Sequence, residues 1–184
     1  MRNPQQASGE SGETRPSSSA EKEAFSSGGN RHMILLRGRW GLAIDMAVLW
    51  LTGYSLMTKQ YALALGEPYL PTLLLNTTGA RSGLKRTCAL PYFSVGEDLV
   101  VRGSNGGGPT DPHWVWNVRK NPDARIRVRG RSRQVKAHVA SGEERERLFA
   151  LLCTKSPTTQ AYQDGCAPRE LPLVVLRKPE ASAA

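Results

Sequence analysis

One stretch of the chain decides its fold: residues 73–86 read LLLNTTGARSGLKR. An apolar run ends in a segment with two glycines and one serine, and a second apolar run follows at residues 90–95. Small residues between strand-like flanks indicate a tight hairpin turn with open backbone amides. Arg81, Lys85 and Arg86 place positive charge beside those amides. The pattern predicts a loop that binds an anion such as phosphate, and a plain hairpin with solvated basic residues is the alternative.

Beyond residue 70, the sequence pattern predicts short strands separated by turn residues. Alternation is clearest at residues 124–129, where Ala, Ile and Val share one face and three arginines share the other. Five or six such segments alternate with few helices, and this spacing is typical of a small barrel. We therefore predict a mainly β (α+β) fold, an antiparallel β-barrel with flanking helices and an N-terminal helix.

Four segments are expected along the chain. Residues 1–30 are rich in Ser, Gly, Glu and Gln and predict a disordered tail, because they cannot bury enough apolar surface. Residues 31–69 form an N-terminal helical region, residues 70–179 the barrel, and residues 180–184 a short tail. The apolar part of the helical region, within residues 33–57, is interrupted too often to span a bilayer. It either packs on the barrel or makes peripheral contact with a membrane surface.

The net charge and the cysteine content limit the classes of partner and of site that we expect. The 184 residues carry a formal net charge of +9, which favours an anionic partner: a phosphorylated cofactor, nucleic acid or an acidic membrane. The three cysteines and three histidines have no metal-ligand or disulfide spacing. We therefore expect no metal site, and we expect a cytoplasmic protein.

Three segments have the residue types of pocket walls. The first is the basic loop at residues 79–86. The second, residues 102–108, is rich in Gly and leaves room for a flat ligand against the backbone. The third is a helix in which Trp114 and Asn117 share a face, with Arg119 beyond them. A tryptophan next to an amide and a guanidinium can hold a heteroaromatic ring with an attached anion, although core packing of Trp114 is the simpler reading.

Together, residues 73–87, 104–107 and 111–122 closely resemble the deazaflavin-dependent nitroreductase family. The similarity extends in order and spacing over residues 71–179. It implies a split β-barrel that uses coenzyme F-420, and an actinobacterial source. Eleven residues match cofactor-binding positions of the family, which bind the phosphate and acidic tail, line the deazaflavin ring or complete the site. They are Arg81, Ser82, Gly83, Arg86, Ala89, Ser104, Asn105, Gly106, Trp114, Asn117 and Arg119.

The resemblance also implies catalytic residues and some departures. Tyr162 matches a family tyrosine that lies over the substrate, and Tyr162, Ser104 or solvent would supply a proton. The family often has a second basic residue where Ala80 stands and a proline where Ala89 stands. It often has a second aromatic residue on the acceptor side at the position of Thr159. We expect the protein to bind the cofactor despite these differences, whereas the differences leave the identity of the acceptor open.

The implied function is transfer of a hydride from reduced F-420 to an electron-poor acceptor: a quinone, an activated enone or a nitro-heteroaromatic compound. The alternatives are an FMN-dependent oxidoreductase of the same fold, a cofactor carrier without turnover, and a basic nucleic-acid-binding barrel. We expect a small-molecule acceptor and no nucleic acid as partner. A homodimer and a peripheral position at the inner face of the membrane are further expectations.

Overall fold

The computed structural model describes residue 36 and residues 38–179. The predicted tails at 1–30 and 180–184 lie outside the described residues. Within the described part, the helices are α1 (Gly38–Thr52), α2 (Leu56–Leu65), α3 (His113–Lys120), α4 (Gly142–Lys155) and α5 (Thr158–Cys166). The strands are β1 (Thr72–Thr78), β2 (Lys85–Val95), β3 (Asp98–Arg102), β4 (Asp123–Val128), β5 (Arg131–Val139) and β6 (Leu173–Arg177).

The strands form a closed antiparallel barrel in the order β1-β2-β3-β6-β5-β4. This confirms the predicted fold class. Alternate residues of each strand point inward, as the period of two requires. The interior is filled by buried aliphatic side chains, and among them Leu75 and Ile126 lie opposite each other on β1 and β4. Helix α3 adds Trp114, Val115 and Val118 to the same core and closes one end of the barrel.

A second core lies on the outside of the barrel. Helices α4 and α5 cover the outward side chains of β2, β3 and β6 with a buried cluster that includes Phe93, Leu152 and Val175. We named no helix at residues 158–166 from the sequence, and the segment is polar and contains a glycine. The helix forms because its buried residues Thr159 and Cys166 pack inward. This helix carries Tyr162, so it shapes the candidate site.

The N-terminal region is two helices rather than one. Asp45, which interrupts the apolar sequence of α1, is buried and accepts hydrogen bonds from the Ser55 hydroxyl (2.9 Å) and the Met57 amide (2.9 Å). Ser55 in turn caps α2 by accepting from the Thr58 amide at 3.0 Å. No single helix in the described part is long and apolar enough to cross a bilayer. Helices α1 and α2 meet the length and composition requirement only together, and they are bent by 109°.

Candidate functional site

The basic loop is attached to α3 at the closed end of the barrel. The Asn117 side chain accepts a hydrogen bond from the Ala80 amide at 2.8 Å and donates to the Thr77 hydroxyl at 3.0 Å. Lys120 donates to the Ala80 carbonyl at 2.7 Å. The Gly79 amide closes the hairpin by donating to the Leu84 carbonyl at 2.8 Å. These bonds fix the loop, so its exposed residues keep one arrangement.

The exposed side of this loop presents positive charge and open amides. Arg81, Ser82, Gly83 and Arg86 are all exposed. In the described part of the chain, no group accepts a hydrogen bond from the guanidinium of Arg81 or of Arg86. The backbone amides of Arg81 and Ser82 also have no acceptor there. Gly83 has a φ of +67°, a value that favours glycine. The arrangement has the chemistry of an anion site, as the sequence predicted.

The Gly-rich wall lies against the same helix. A side-chain carbon at Gly103 would lie 3.0 Å from Val115 Cγ2 and 3.2 Å from Pro172 Cβ, so close packing on α3 requires glycine there. Beyond it, Ser104 precedes a short 3-10 turn, Asn105–Gly107, in which Asn105 has a φ of +48° and Gly106 one of +65°. The chain therefore runs past α3 with little side-chain bulk. The three predicted walls meet at one end of the barrel.

Arg169 holds this turn in place, and the sequence analysis did not select it. Its guanidinium donates to the carbonyls of Gly108 (2.8 Å) and Ser104 (3.1 Å) and forms an ion pair with Asp111 at 3.0 Å. Asp111 also pairs with Arg119 at 2.5 Å, and Arg119 lies over the Trp116 ring with Cζ 4.9 Å from its centroid. No local motif marks Arg169, because its partners lie about 60 residues away in the chain.

Two of the predicted cofactor-binding residues serve the fold in this structure. Trp114 is only 9% exposed and packs in the barrel core. Asn117 is 7% exposed and uses its amide to anchor the loop. Their contacts agree with the simpler reading of this segment, and their contact with a cofactor stays a prediction. Arg119 is more exposed, and it remains near the surface beside Trp116.

Ala89 lies apart from the closed end, on the outer wall of the barrel opposite Leu74. Beside it a cavity of about 430 Å³ separates α1 from the strands. One wall of the cavity is apolar and the other polar, and it is lined by Met46, Ala47, Trp50, Leu74, Asn76, Thr87, Arg127 and Ser132. This cavity adjoins β2 rather than α3, so it is distinct from the three walls described above.

The two predicted proton donors lie on neighbouring elements. Helix α5, which carries Tyr162, packs on the turn that follows Ser104, and the Cys166 sulfur lies 3.6 Å from the Ser104 carbonyl. Tyr162 packs against the outer core. Thr159 is fully buried and accepts a hydrogen bond from Arg102 at 2.7 Å. Thr159 is therefore held in the outer core by Arg102, and its position on the acceptor side stays a prediction.

Two cysteines near these elements are poor nucleophiles. Burial in the barrel raises the pKa of Cys88 to about 12, and burial also raises the pKa of Cys166. Since the thiolate is the reactive form, neither thiol is suited to covalent chemistry near neutral pH. No group of His, Cys, Asp or Glu among the described residues could hold a metal ion.

The fold is a closed antiparallel β-barrel that carries a cationic loop and a Gly-lined turn beside α3. The family described as F420H(2)-dependent quinone reductase matches residues 58–178. An F420H(2)-dependent quinone reductase of Mycobacterium tuberculosis is 31% identical over 110 residues, which cover 59% of this chain and 74% of that protein. The chain belongs to the F420H(2)-dependent quinone reductase family. It is thus an oxidoreductase whose cofactor is coenzyme F-420.

Two solved structures are also similar. One, described as an F420-H2 dependent reductase, has 30% sequence identity and a TM-score of 0.53, and the match covers 58% of this chain and 94% of that one. The other, described as a domain-swapped dimer, has 27% identity and a TM-score of 0.54 over 75% of this chain and 97% of that one. These matches support the barrel fold and the membership of the reductase family.

Proposed function

We propose that the protein transfers a hydride from reduced F-420 to a quinone, with activated enones and nitro-heteroaromatic compounds as further acceptors. The observation that carries this proposal is the loop at residues 79–84, which is anchored to α3 and leaves Arg81 and Arg86 without an acidic partner among the described residues. Cations and open amides held in one arrangement are the groups that a phosphate and an acidic tail require. The residues present therefore fit this cofactor.

Each part of the site has a role in this proposal. Arg81, Ser82 and Arg86 would hold the phosphate and acidic tail. The turn from Ser104 to Gly106 would lie against the ring, where a lack of bulk permits close approach. When bound, reduced F-420 supplies two electrons and a proton together as a hydride. The protein orients the acceptor and excludes water, since hydride transfer needs the reacting atoms about 3–3.5 Å apart.

We propose that the proton that completes the reduction comes from Tyr162, Ser104 or solvent. Arg169 donates to the Ser104 carbonyl at 3.1 Å, so the backbone of Ser104 is held at the edge of the turn. Tyr162 is held by α5 beside the same turn. A phenol has an ordinary pKa of about 10, so it is protonated at neutral pH and can act as an acid.

The test is reduction of menadione by the purified protein with reduced F-420, followed by the return of the oxidised cofactor's visible absorbance. Arg81→Ala and Arg86→Ala should each raise KM for the cofactor about tenfold, the loss of one charge-assisted contact. Lys85→Ala is the matched control, because Lys85 already donates to the Thr78 hydroxyl at 3.0 Å. Equal effects of all three substitutions, or turnover with reduced FMN instead, would contradict the proposal.

We also propose that α1 and α2 make the peripheral membrane contact. Their surface exposes large apolar side chains, among them Trp40 (84% exposed) and Leu51 (69% exposed). The acidic residue of these helices, Asp45, is buried, so the exposed charge is basic, as an anionic bilayer favours. Co-sedimentation with anionic vesicles, lost in a Trp40→Gln/Leu51→Gln double variant, would support this contact. Equal sedimentation of both proteins would refute it.

The domain limits, the homodimer and the cytoplasmic location stay predictions. The boundary near residue 70 agrees with the start of β1 at Thr72. Size-exclusion chromatography with light scattering decides the oligomeric state, and a monomer at micromolar concentration would contradict the homodimer.

A further inference from the structure

Arg102 is a cation inside the outer core, next to the predicted proton donor. It ends β3, two residues before Ser104. Its guanidinium lies between two aromatic rings, with Cζ 5.0 Å from the Phe93 centroid and 5.2 Å from the Tyr162 centroid. Burial lowers the pKa of Arg102, yet a guanidinium starts so high that it stays charged. A permanent positive charge therefore lies over the face of Tyr162.

The position of this charge is fixed by α5 and the residues before it. Arg102 Nη1 donates to the Thr159 hydroxyl at 2.7 Å and lies 3.4 Å from the hydroxyls of Ser156 and Thr158. Those two hydroxyls donate to Glu67 at 3.0 Å and 3.2 Å, and the Thr158 amide donates to it at 3.0 Å. Glu67 thus balances the guanidinium through intervening hydroxyl groups.

No carboxylate among the described residues forms a direct ion pair with Arg102. Arg102 is a partly buried cation whose counter-charge, Glu67, is reached only through hydroxyl groups, and removing a cation from water in this way has a desolvation cost. The guanidinium lies between the Phe93 and Tyr162 rings, and of these two only Tyr162 carries a hydroxyl that can become an anion. The Arg102 charge can therefore act on the ionisation of Tyr162.

We propose that Arg102 is a positioning residue for Tyr162, which holds the phenol beside the acceptor and stabilises the phenolate left after proton transfer. This inference rests on the proposed function. The quinone gains two electrons and one proton as a hydride, and a second proton from the Tyr162 hydroxyl. The O–H bond of Tyr162 breaks as an O–H bond forms on the quinone oxygen, and water then returns a proton to the phenolate.

Other charged and titratable groups lie near Arg102 and its hydrogen-bonded partners. Glu67, reached through Ser156, is an anion that disfavours the phenolate. Asp164, on the same helix, acts in the same direction and is bonded to Gln160 at 2.8 Å. Cys153 on α4 lies close enough to interact with Arg102, and burial raises its pKa, so it stays neutral near pH 7. Arg102 is the cation that lies over the ring.

The experiment is a spectrophotometric titration of the full chain without cofactor. Ultraviolet absorbance of tyrosinate is followed as pH rises, and subtraction of the Tyr162→Phe curve isolates Tyr162. Arg102→Met keeps the length of the side chain and removes its charge, and we expect the Tyr162 midpoint to rise by about one pH unit or more. Arg102→Lys should recover at least half of that change, because the charge is restored.

Two further variants make the result decisive. Glu67→Gln removes the opposing anion and should move the midpoint the other way, to lower pH. Arg127→Met is the matched control, since Arg127 lies over the Trp50 ring at 4.6 Å and should leave Tyr162 unchanged. An unchanged midpoint in both Arg102→Met and Glu67→Gln overturns the inference. If Arg102→Met does not fold, the direction of the Glu67→Gln change decides alone.

Steady-state turnover provides a second, independent test of the role of Arg102. Arg102→Met should lower kcat for menadione reduction about tenfold in the wild-type background and have little effect in Tyr162→Phe, because the two residues act as one unit. Equal losses in both backgrounds indicate a structural role and overturn the inference. The titration needs no cofactor, so a shifted midpoint in a protein that does not turn over F-420 refutes the proposed function alone.

Discussion

Replacing Asn117 with alanine tests whether α3 controls the cationic loop. The amide makes two short bonds, to the Ala80 amide (2.8 Å) and the Thr77 hydroxyl (3.0 Å), and it is buried. Each net hydrogen bond contributes about 0.5–1.5 kcal/mol, and a buried group left unsatisfied costs more. We therefore expect Asn117→Ala to lower the free energy of unfolding by about 2–3 kcal/mol.

Loss of the Asn117 hydrogen bonds should have two measurable consequences. For a chain of this size, the melting temperature should fall by about 5–10 °C. The loop should also lose its fixed position, so the Kd for F-420 should rise severalfold at 25 °C while the variant is still folded. Calorimetry gives the first value and a fluorescence titration gives the second. Circular dichroism at 25 °C confirms that the fold persists during the titration.

Asn121→Ala is the matched control at the end of the same helix. The Asn121 side chain accepts one bond from the Asp123 amide at 3.0 Å, in an exposed setting. Its loss should cost about 0.5–1 kcal/mol and leave cofactor affinity unchanged. Equal stability loss in the two variants, or unchanged cofactor affinity in Asn117→Ala, would refute the claim that Asn117 positions the loop.

Three further predictions concern the supports of the site. Cys88, whose pKa burial raises to about 12, should resist thiol reagents at pH 8 in the native protein and react once urea unfolds it; rapid native labelling would contradict its burial. Gly103→Ala should lower stability by about 1–3 kcal/mol because the new carbon lies 3.0 Å from Val115, and Val115→Ala should reduce that penalty; additive losses would count against the contact. Asp45→Ala should cost about 2–3 kcal/mol in urea unfolding, since it removes two buried bonds that join α1 to α2; a loss below about 0.5 kcal/mol would contradict this role.

The barrel could be read from the sequence because its signals are local. Alternation at residues 124–129 and the turn at residues 79–84 mark strands and a hairpin wherever they occur. The exposed cations of the loop were found for the same reason. Helix α5 escaped prediction because its sequence has weak helix propensity, and packing on the outer core supplies its stability.

The residues that support the site were harder to predict. Arg169 and Arg102 act on groups about 55–65 residues away, so only the folded chain brings the partners together. Asn117 was predicted to bind the cofactor because of its residue type. In the structure its side-chain amide accepts a hydrogen bond from the Ala80 amide of the loop. Residue type and spacing therefore predict a candidate site, whereas tertiary contacts decide which of its residues are free to bind a ligand and which support the fold.

Binding of F-420 by the cationic loop and the Gly-lined turn is tested most directly by titration of the purified protein with oxidised F-420. Quenching of tryptophan fluorescence follows the titration, which is repeated with FMN. We expect saturable micromolar binding of F-420, weakened in Arg81→Ala and Arg86→Ala, and much weaker binding of FMN. Binding of FMN alone, or F-420 binding that is unchanged in both variants, would contradict it.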